Sequence, residues 1–210
     1  MNIPESVNAT KPRMPVQLED APQSMNRDDQ DDAWLVRRVA SGDRDALATL
    51  YRRHGGVVLA QITLAVGEPA LSEEILQDTM LAVWRGAASF RGESAVRSWI
   101  IAIARRRARD RLRHRPVTIA ADVADLSGLP APEAGPEEAA IERAEAAVIA
   151  DAVGQLGRLH REVLGLVFGA GLTLAETAAV LEVPVGTVKS RVSAARAALA
   201  RGLAKKGYIR

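Results

Sequence analysis

Two groups of charged side chains of opposite sign lie within one stretch of the chain, residues 71–115. The first group is acidic and polar and lies along LSEEILQDTM at helical spacing: Glu73, Glu74, Gln77 and Asp78. The second group is a run of seven arginines between Arg105 and Arg115. Clustered carboxylates attract a basic protein surface, whereas arginines bind phosphate through several N–H donors at once. The stretch therefore predicts contacts with both a protein partner and a nucleic acid.

The distribution of charge along the 210 residues also favours a nucleic-acid partner. Residues 86–115 carry nine arginines and two acidic residues, and residues 151–210 carry nine Lys or Arg and four acidic residues. Between them, residues 116–150 carry seven acidic residues and one arginine. Two basic blocks around an acidic one predict two modules that face nucleic acid, joined by an acidic spacer. Charge alone leaves solvated helix faces open as the alternative.

The sequence offers no residues for catalysis or for a cofactor. There is no cysteine, which excludes disulfides and thiolate metal sites. The three histidines, His54, His114 and His160, are scattered and are expected at the surface or its boundary. No apolar run reaches the roughly 18 residues of a membrane span, and the N-terminus lacks the apolar core of a signal peptide. A cytoplasmic protein without membrane insertion is predicted.

Periodicity and turn residues predict an all-α chain. Residues 1–30, rich in proline and polar side chains, are expected to form a disordered tail, with helix from about Asp32. Gly42-Asp43 and Gly67-Glu68-Pro69 should separate the first three helices. The third helix should bury its stripe Leu71, Ile75, Leu76, Met80 and Val83, and the fourth should bury Val96, Ile100, Ile103, Ala104, Ala108 and Leu112.

Further helices are expected at about 137–155, 158–169, 173–181 and 185–203, after a linker rich in proline, glycine and acidic residues over 116–136. Almost nothing alternates with the period of two that strands require. The predicted fold is therefore two small helical domains joined by a flexible acidic linker.

Residues 172–199, LTLAETAAVLEVPVGTVKSRVSAARAAL, have the pattern of a helix-turn-helix. A helix over Leu174–Leu181 is followed by a short connection that ends at Pro184, and the second helix has an apolar face: Val185, Val188, Val192, Ala195 and Leu199. The opposite face carries Thr187, Ser190 and Ala194 with Lys189, Arg191 and Ser193 beside them. Small polar residues fit a major groove, and the flanking cations would neutralise phosphates. The alternative is an ordinary helical hairpin within a bundle.

Two blocks of the chain resemble the extracytoplasmic-function (ECF) type of alternative sigma factor of bacterial RNA polymerase. LSEEILQDTMLAVWRGAASFRGESAVRSWIIAIARRRARDRLR is similar to region 2 of that family, and DAVGQLGRLHREVLGLVFGAGLTLAETAAVLEVPVGTVKSRVSAARAAL is similar to region 4. The resemblance covers about residues 32–113 and 137–204, without a block like region 3 of primary sigma factors. It implies a tail over 1–30, a region 2 domain over 31–115, a linker over 116–136, a region 4 domain over 137–204 and a C-terminal tail over 205–210.

The resemblance implies a subunit without catalysis of its own. It would bind core RNA polymerase, direct it to promoters, assist promoter melting and be restrained by an anti-sigma factor, with its acidic linker threading the polymerase channel. It places three sets of binding residues. The residues that would bind core polymerase are Glu73, Glu74, Gln77, Asp78 and Leu81. Those that would bind the −10 element are Phe90, Arg91, Ser94, Arg105, Arg106 and Arg109. Those that would bind the −35 element are Thr187, Lys189, Ser190, Arg191, Ser193 and Ala194. Trp99 lies beside the apolar stripe and is expected in the core.

The chain departs from the family pattern at two places. Arg105-Arg106 stands where relatives commonly have Arg-Asn, and Ser193 and Ala194 stand where larger or basic side chains are common, so both promoter preferences could differ. The competing function is a stand-alone helix-turn-helix transcriptional regulator. The block 71–115 distinguishes the two, because such a regulator needs neither an acid-faced docking helix nor a basic melting helix.

Overall fold

The computed structural model describes residues 27–113 and 148–208, which we call the N-terminal and C-terminal halves. The N-terminal half contains α1 (Arg27–Ala40), α2 (Arg44–Val66), α3 (Pro69–Gly86), a 3-10 turn (Ala87–Ser89) and α4 (Val96–Arg113). The C-terminal half contains α5 (148–154), α6 (Arg158–Leu164), a π-helical turn (Gly165–Gly169), α7 (Leu174–Leu181) and α8 (Val185–Lys205). No strand occurs in either half, and the predicted all-α class is confirmed. The predicted linker over 116–136 lies outside the described residues.

The helix boundaries follow from the residues that the sequence places there. Asp43 caps α2, because its carboxylate accepts the backbone N–H groups of Asp45 at 2.9 Å and Ala46 at 3.0 Å. Gly67 ends α2 with a φ of 78°, a left-handed conformation that glycine adopts without a steric penalty. Helix α1 begins at Arg27 and so includes residues 27–30, which the sequence pattern assigns to the tail. Two aspartates in its first turn favour that earlier start.

The core of the N-terminal half is built by α1, α2, α3 and α4. The α3 stripe is buried as predicted. On α4 the prediction needs two corrections: Ile101 is buried with only 1% of its surface exposed, whereas Leu112 is 41% exposed and Ile103 is half-buried. Leu112 lies in the last turn of α4, where Ala108 is the last buried residue. The helix therefore extends past the core at its arginine-rich end.

The C-terminal half contains the predicted helix-turn-helix, formed by α7 and α8. Val188, Val192 and Ala195 of α8 are buried, as their spacing predicted. Leu199 is half-buried, and Val185, in the first turn, is exposed. The second helix thus packs by the middle of its apolar face and leaves its opposite face in solvent.

The two halves pack against each other, and their buried apolar side chains form one continuous cluster. Helix α4 contacts α7, and α2 contacts α6 and the π-helical turn. Gly165 permits the closest approach, since a Cβ at this position would lie 2.8 Å from Cδ1 of Leu64. Gln61 also donates its side-chain amide to the Gly165 carbonyl at 3.1 Å. The described halves therefore form a closed arrangement.

A buried polar cluster joins α1 to α2. Nε2 of His54 lies 2.7 Å from Oδ2 of Asp32, and the Arg53 guanidinium donates to Oδ1 of Asp32 at 2.8 Å. His54 is 3% exposed, so its predicted surface position is wrong: the nearby carboxylate satisfies its Nε2 in the core. His160 is half-buried, and His114 lies outside the described residues.

The cluster also sets the ionisation of Asp32. Burial acts to raise the pKa of Asp32, but the hydrogen bond and charge of His54, followed by those of Arg53, outweigh burial and lower the pKa below 3.8. Asp32 therefore ionises more readily in the folded chain than in the unfolded chain.

Two kinds of structure are absent from the described residues. None of their helices is both long and apolar enough to cross a membrane. Within 27–113 and 148–208, no three histidine or acidic side chains converge on a point that could hold a metal ion.

We expect Asp32→Asn to lower the free energy of unfolding by about 1–3 kcal/mol at neutral pH, because buried donors lose a charged acceptor. Since the folded pKa lies below 3.8, the contribution of Asp32 is fully present above pH 3.8 and is lost as pH falls through the folded pKa. Urea unfolding of both proteins should therefore show a difference that shrinks on acidification. Asp45→Asn, which changes an exposed carboxylate of α2, is the control. A difference that stays constant down to about pH 3 would contradict the role of Asp32 ionisation.

Candidate functional site

The residues assigned to a protein partner lie together on the outer face of α3, which we call the acidic face. Glu73, Glu74 and Gln77 are exposed and Asp78 is half-buried. Leu81, one turn further along, is 52% exposed, the largest exposed fraction among the large apolar side chains of the described residues. The opposite side of α3 is buried in the core. The structure therefore gathers all five predicted residues on one accessible surface.

An arginine of α4 bridges two carboxylates of the acidic face. Nη1 of Arg111 donates to Oε1 of Glu74, and Nη2 donates to Oδ2 of Asp78, both at 2.6 Å. The hydrogen bond to Asp78, followed by that to Glu74, raises the pKa of Arg111. The sequence analysis did not assign Arg111 to this face. Its guanidinium partly neutralises the two carboxylates and fixes their orientation.

The loop between α3 and α4 rests on an aromatic pair. The rings of Phe90 and Trp99 lie with centroids 4.9 Å apart and planes inclined at 46°. Both side chains are partly buried and pack on the apolar core, as expected for Trp99. Arg91 and Ser94 are exposed, and Nη1 of Arg91 lies 3.8 Å from Oε1 of Glu93. The loop thus combines an anchored phenylalanine with polar side chains in solvent.

The three α4 arginines assigned to the −10 element face the C-terminal half. Nε of Arg105 donates to Oε1 of Glu162 at 2.9 Å. Nη1 of Arg109 donates to Oε2 of Glu182 at 3.3 Å, and Nη2 of Arg106 lies 3.8 Å from Oε1 of the same glutamate. The hydrogen bond and charge of Arg109, with smaller effects of Arg106 and Arg105, lower the pKa of Glu182. In the closed arrangement these arginines therefore face carboxylates.

Glu182 occupies a backbone conformation that usually belongs to glycine. It ends α7 with a φ of 57°, and it is the one described non-glycine residue with a positive φ. For a residue with a Cβ, this conformation costs about 1–2 kcal/mol. The helix-turn-helix therefore keeps a charged side chain in its turn against a local backbone preference.

A capping box starts the helix-turn-helix. Oγ1 of Thr173 accepts the backbone N–H of Glu176 at 3.1 Å, and Oε2 of Glu176 accepts the backbone N–H of Thr173 at 2.9 Å. After the turn, Pro184 precedes the first residue of α8. The capping box thus marks the start of α7, and Pro184 marks the start of α8.

The six residues assigned to the −35 element lie on the first three turns of α8, which we call the reading face. Lys189, Ser190, Ser193 and Ala194 are exposed, and Thr187 and Arg191 are half-buried. A surface groove of about 410 Å³ passes this face, lined by Leu174 of α7 and by Lys189, Val192, Ser193 and Arg196. Cations beside small polar side chains form a surface that suits the phosphates and base edges of duplex DNA.

Two family models match the chain in the order in which these surfaces occur. Residues 50–116 match Sigma-70 region 2, and residues 152–201 match Sigma-70, region 4. The chain is 35% identical over 183 residues to RNA polymerase sigma factor CnrH of Cupriavidus metallidurans, covering 83% of this chain and 95% of that protein. It is 37% identical to ECF RNA polymerase sigma factor SigM of Mycobacterium tuberculosis, covering 87% and 88% of the two chains. The chain belongs to the ECF family of RNA polymerase sigma factors.

A solved structure of CnrH in complex with the cytosolic domain of CnrY is similar to this sigma factor, with a TM-score of 0.59 and 30% sequence identity over 83% of this chain and 97% of that one. A sigma factor binds core RNA polymerase and directs it to promoters, and it is a transcription initiation factor, not an enzyme. The region 2 match disfavours the stand-alone regulator, because such a protein has no use for that domain.

The sequence analysis did not predict three residues that contact the predicted site residues: Arg111 on the acidic face, and Glu162 and Glu182 opposite the α4 arginines. Glu162 lies 57 residues from Arg105, and Glu182 lies 73 residues from Arg109, so no local spacing connects them. For Glu182 the sequence did offer a signal that its side chain has another partner. A glutamate in the turn of a helix-turn-helix would lie close to DNA phosphates, which would repel it.

Proposed function

We propose that the three surfaces of this sigma factor divide the work of initiation. The acidic face of α3 binds core polymerase, the 90–94 loop with Arg105, Arg106 and Arg109 binds the −10 element, and the reading face of α8 binds the −35 element. The observation that carries this proposal is that the predicted polymerase-binding set lies together on the outer face of α3 and the predicted −35 set lies together on the first three turns of α8. We further propose the domain boundaries 31–115 and 137–204, and action in the cytoplasm, where bacterial RNA polymerase works.

We also propose that an anti-sigma protein restrains this chain. CnrH, its relative, has been solved with the cytosolic domain of CnrY bound, which supports a protein partner of this kind. The exposed Leu81 beside carboxylates offers a contact surface that such a protein could share with core polymerase.

Transcription by a defined set of components tests the proposed function. The purified chain is added to sigma-free core polymerase with a promoter library, and the transcripts are sequenced. We expect RNA with start sites that depend on the chain and share two upstream elements. If the folded chain gives no start-site-specific RNA, the assignment of function to these surfaces fails.

We expect Asp78→Arg to weaken binding of core polymerase at least about tenfold, because it places a cation on the acidic face and removes a partner of Arg111. Affinity is measured by fluorescence anisotropy of the labelled chain with core polymerase. Asp45→Arg makes the same charge change on α2, away from α3, and should bind as the parent does. Unchanged affinity of a folded Asp78→Arg variant would remove the acidic face from the docking surface.

We expect Lys189→Ala to weaken promoter binding by the holoenzyme and to reduce the slope of log K against log salt by about 1, since one phosphate contact is lost. Binding is measured across a series of salt concentrations. Lys205→Ala, at the other end of α8, is the matched control and should leave the slope unaltered. A parental slope for Lys189→Ala would show that Lys189 does not contact phosphate.

A further inference from the structure

We propose that Arg111 is an internal competitor for the acidic face: it occupies Glu74 and Asp78, where a partner's cation would bind, and so sets how tightly and by which cations this face is bound. The inference rests on the proposed docking of core polymerase on the acidic face. It deepens that proposal by adding a residue of another helix, which acts on the interface through the two carboxylates.

One guanidinium spans two carboxylates that lie about one helical turn apart. Glu74 and Asp78 belong to α3, and Arg111 reaches them from the last turn of α4. Its Nη1 donates to Oε1 of Glu74 and its Nη2 donates to Oδ2 of Asp78, each at 2.6 Å. Because the guanidinium is a planar fork of fixed geometry, the two hydrogen bonds fix both acceptors relative to each other. Arg111 therefore sets the spacing of the carboxylates that a partner meets.

The bridge lies at the surface, where a partner can reach it. The side chains are exposed by 40% for Arg111, 54% for Glu74 and 36% for Asp78. Ion pairs that are open to solvent contribute little to stability, so they exchange readily with other charged groups. A cation of a protein partner can therefore take the place of Arg111 without a change in the core.

The packing of α4 on α3 does not depend on the bridge. Buried apolar side chains already join the two helices, among them Ile75 of α3 with Ile100 and Ala104 of α4. The last buried residue of α4 is Ala108, so Arg111 lies beyond the core. Its guanidinium is thus available to serve the acidic face, to which both hydrogen bonds of the bridge are made.

A second arginine of the same turn makes no such bridge. The Nη2 of Arg113 pairs with Asp110 of its own helix, whereas Arg111 crosses to α3. A position in the last turn of α4 is therefore not sufficient to place a guanidinium on the acidic face. Arg113 carries the same charge at nearly the same place, which makes it a matched control for the removal of Arg111.

The bridge also selects among the cations that could replace it. A lysine ammonium is a compact point charge, whereas an arginine presents paired donors in one plane. A partner with a single ammonium replaces one of the two hydrogen bonds and leaves the other carboxylate without its donor. A guanidinium placed across Glu74 and Asp78 replaces both. The acidic face therefore favours a partner that brings an arginine to this position.

Removal of the competitor should strengthen docking. We expect Arg111→Ala to bind core polymerase about three- to fivefold more tightly than the parent at low salt, because no internal cation has to be displaced. The gain should shrink as the salt concentration rises, since screening weakens exposed pairs. Affinity is measured by fluorescence anisotropy of the labelled full chain without DNA. Arg113→Ala should bind as the parent does, and urea unfolding checks that both variants are folded.

Two further measurements assign the effect to the two carboxylates. In a chain that carries Glu74→Gln and Asp78→Asn, the additional change Arg111→Ala should leave the affinity for core polymerase unaltered. Methylguanidinium added to the Arg111→Ala variant should return its affinity towards the parent value. Methylammonium at the same concentration should do so less, because it lacks the paired donors.

The outcomes separate the internal competitor from the docking proposal. Tighter binding by Arg111→Ala that requires both carboxylates and is reversed by methylguanidinium supports the competitor. Unchanged or weaker binding overturns it, and the docking proposal stands if Asp78→Arg still weakens binding; if Asp78→Arg has no effect either, both fail. An equal gain in Arg113→Ala overturns the competitor, because net charge then explains the result. Equal reversal by the two small cations overturns the selection for arginine.

Discussion

Helix α4 has to bury an apolar stripe while it carries arginines on its remaining sides, and much of the structure follows from that requirement. Val96, Ile100 and Ala104 face the core and are almost fully buried. Among the arginines that follow, Arg105 is the most enclosed and needs a partner, because an unpaired charge in an apolar environment is strongly destabilising. Arg106, Arg109 and Arg111 lie closer to the surface. These four arginines pair in two directions: Arg111 pairs with the acidic face of α3, and Arg105, Arg106 and Arg109 pair with glutamates of the C-terminal half. One helix thereby touches every proposed binding surface except the reading face.

The ion pairs of Arg106 and Arg109 with Glu182 are exposed to solvent, so each contributes little to the contact between the halves. The apolar contact between the halves adds to the closed state, because α4 packs on α7 and α2 packs on α6.

Local chemistry made much of the fold predictable. Asp43, Gly67 and Pro69 mark helix ends because each acts on the backbone within a few residues. Asp43 caps the start of α2, Gly67 ends α2 in the left-handed region, and Pro69 lacks the N–H that the first turn of α3 does not need. The helix-turn-helix and the grouping of its six candidate DNA contacts follow from the 3.6-residue period. Three features were not predictable: the buried position of His54, the bridge formed by Arg111, and the burial of Ile101 in place of Leu112. Each depends on which helix lies opposite, and a single sequence carries no information on that pairing.

Arg111 changes what docking on the acidic face requires. Glu74 and Asp78 already pair with Arg111, so a basic protein partner on the proposed docking surface would have to replace Arg111. Such replacement lowers the net gain from each new ion pair, and it favours partners whose cations match the preset positions of both carboxylates. The released guanidinium stays in the last turn of α4, the helix that also carries Arg109 and that is proposed to contact the promoter. Docking of polymerase on α3 would thus release a cation on the helix that is proposed to contact the −10 element.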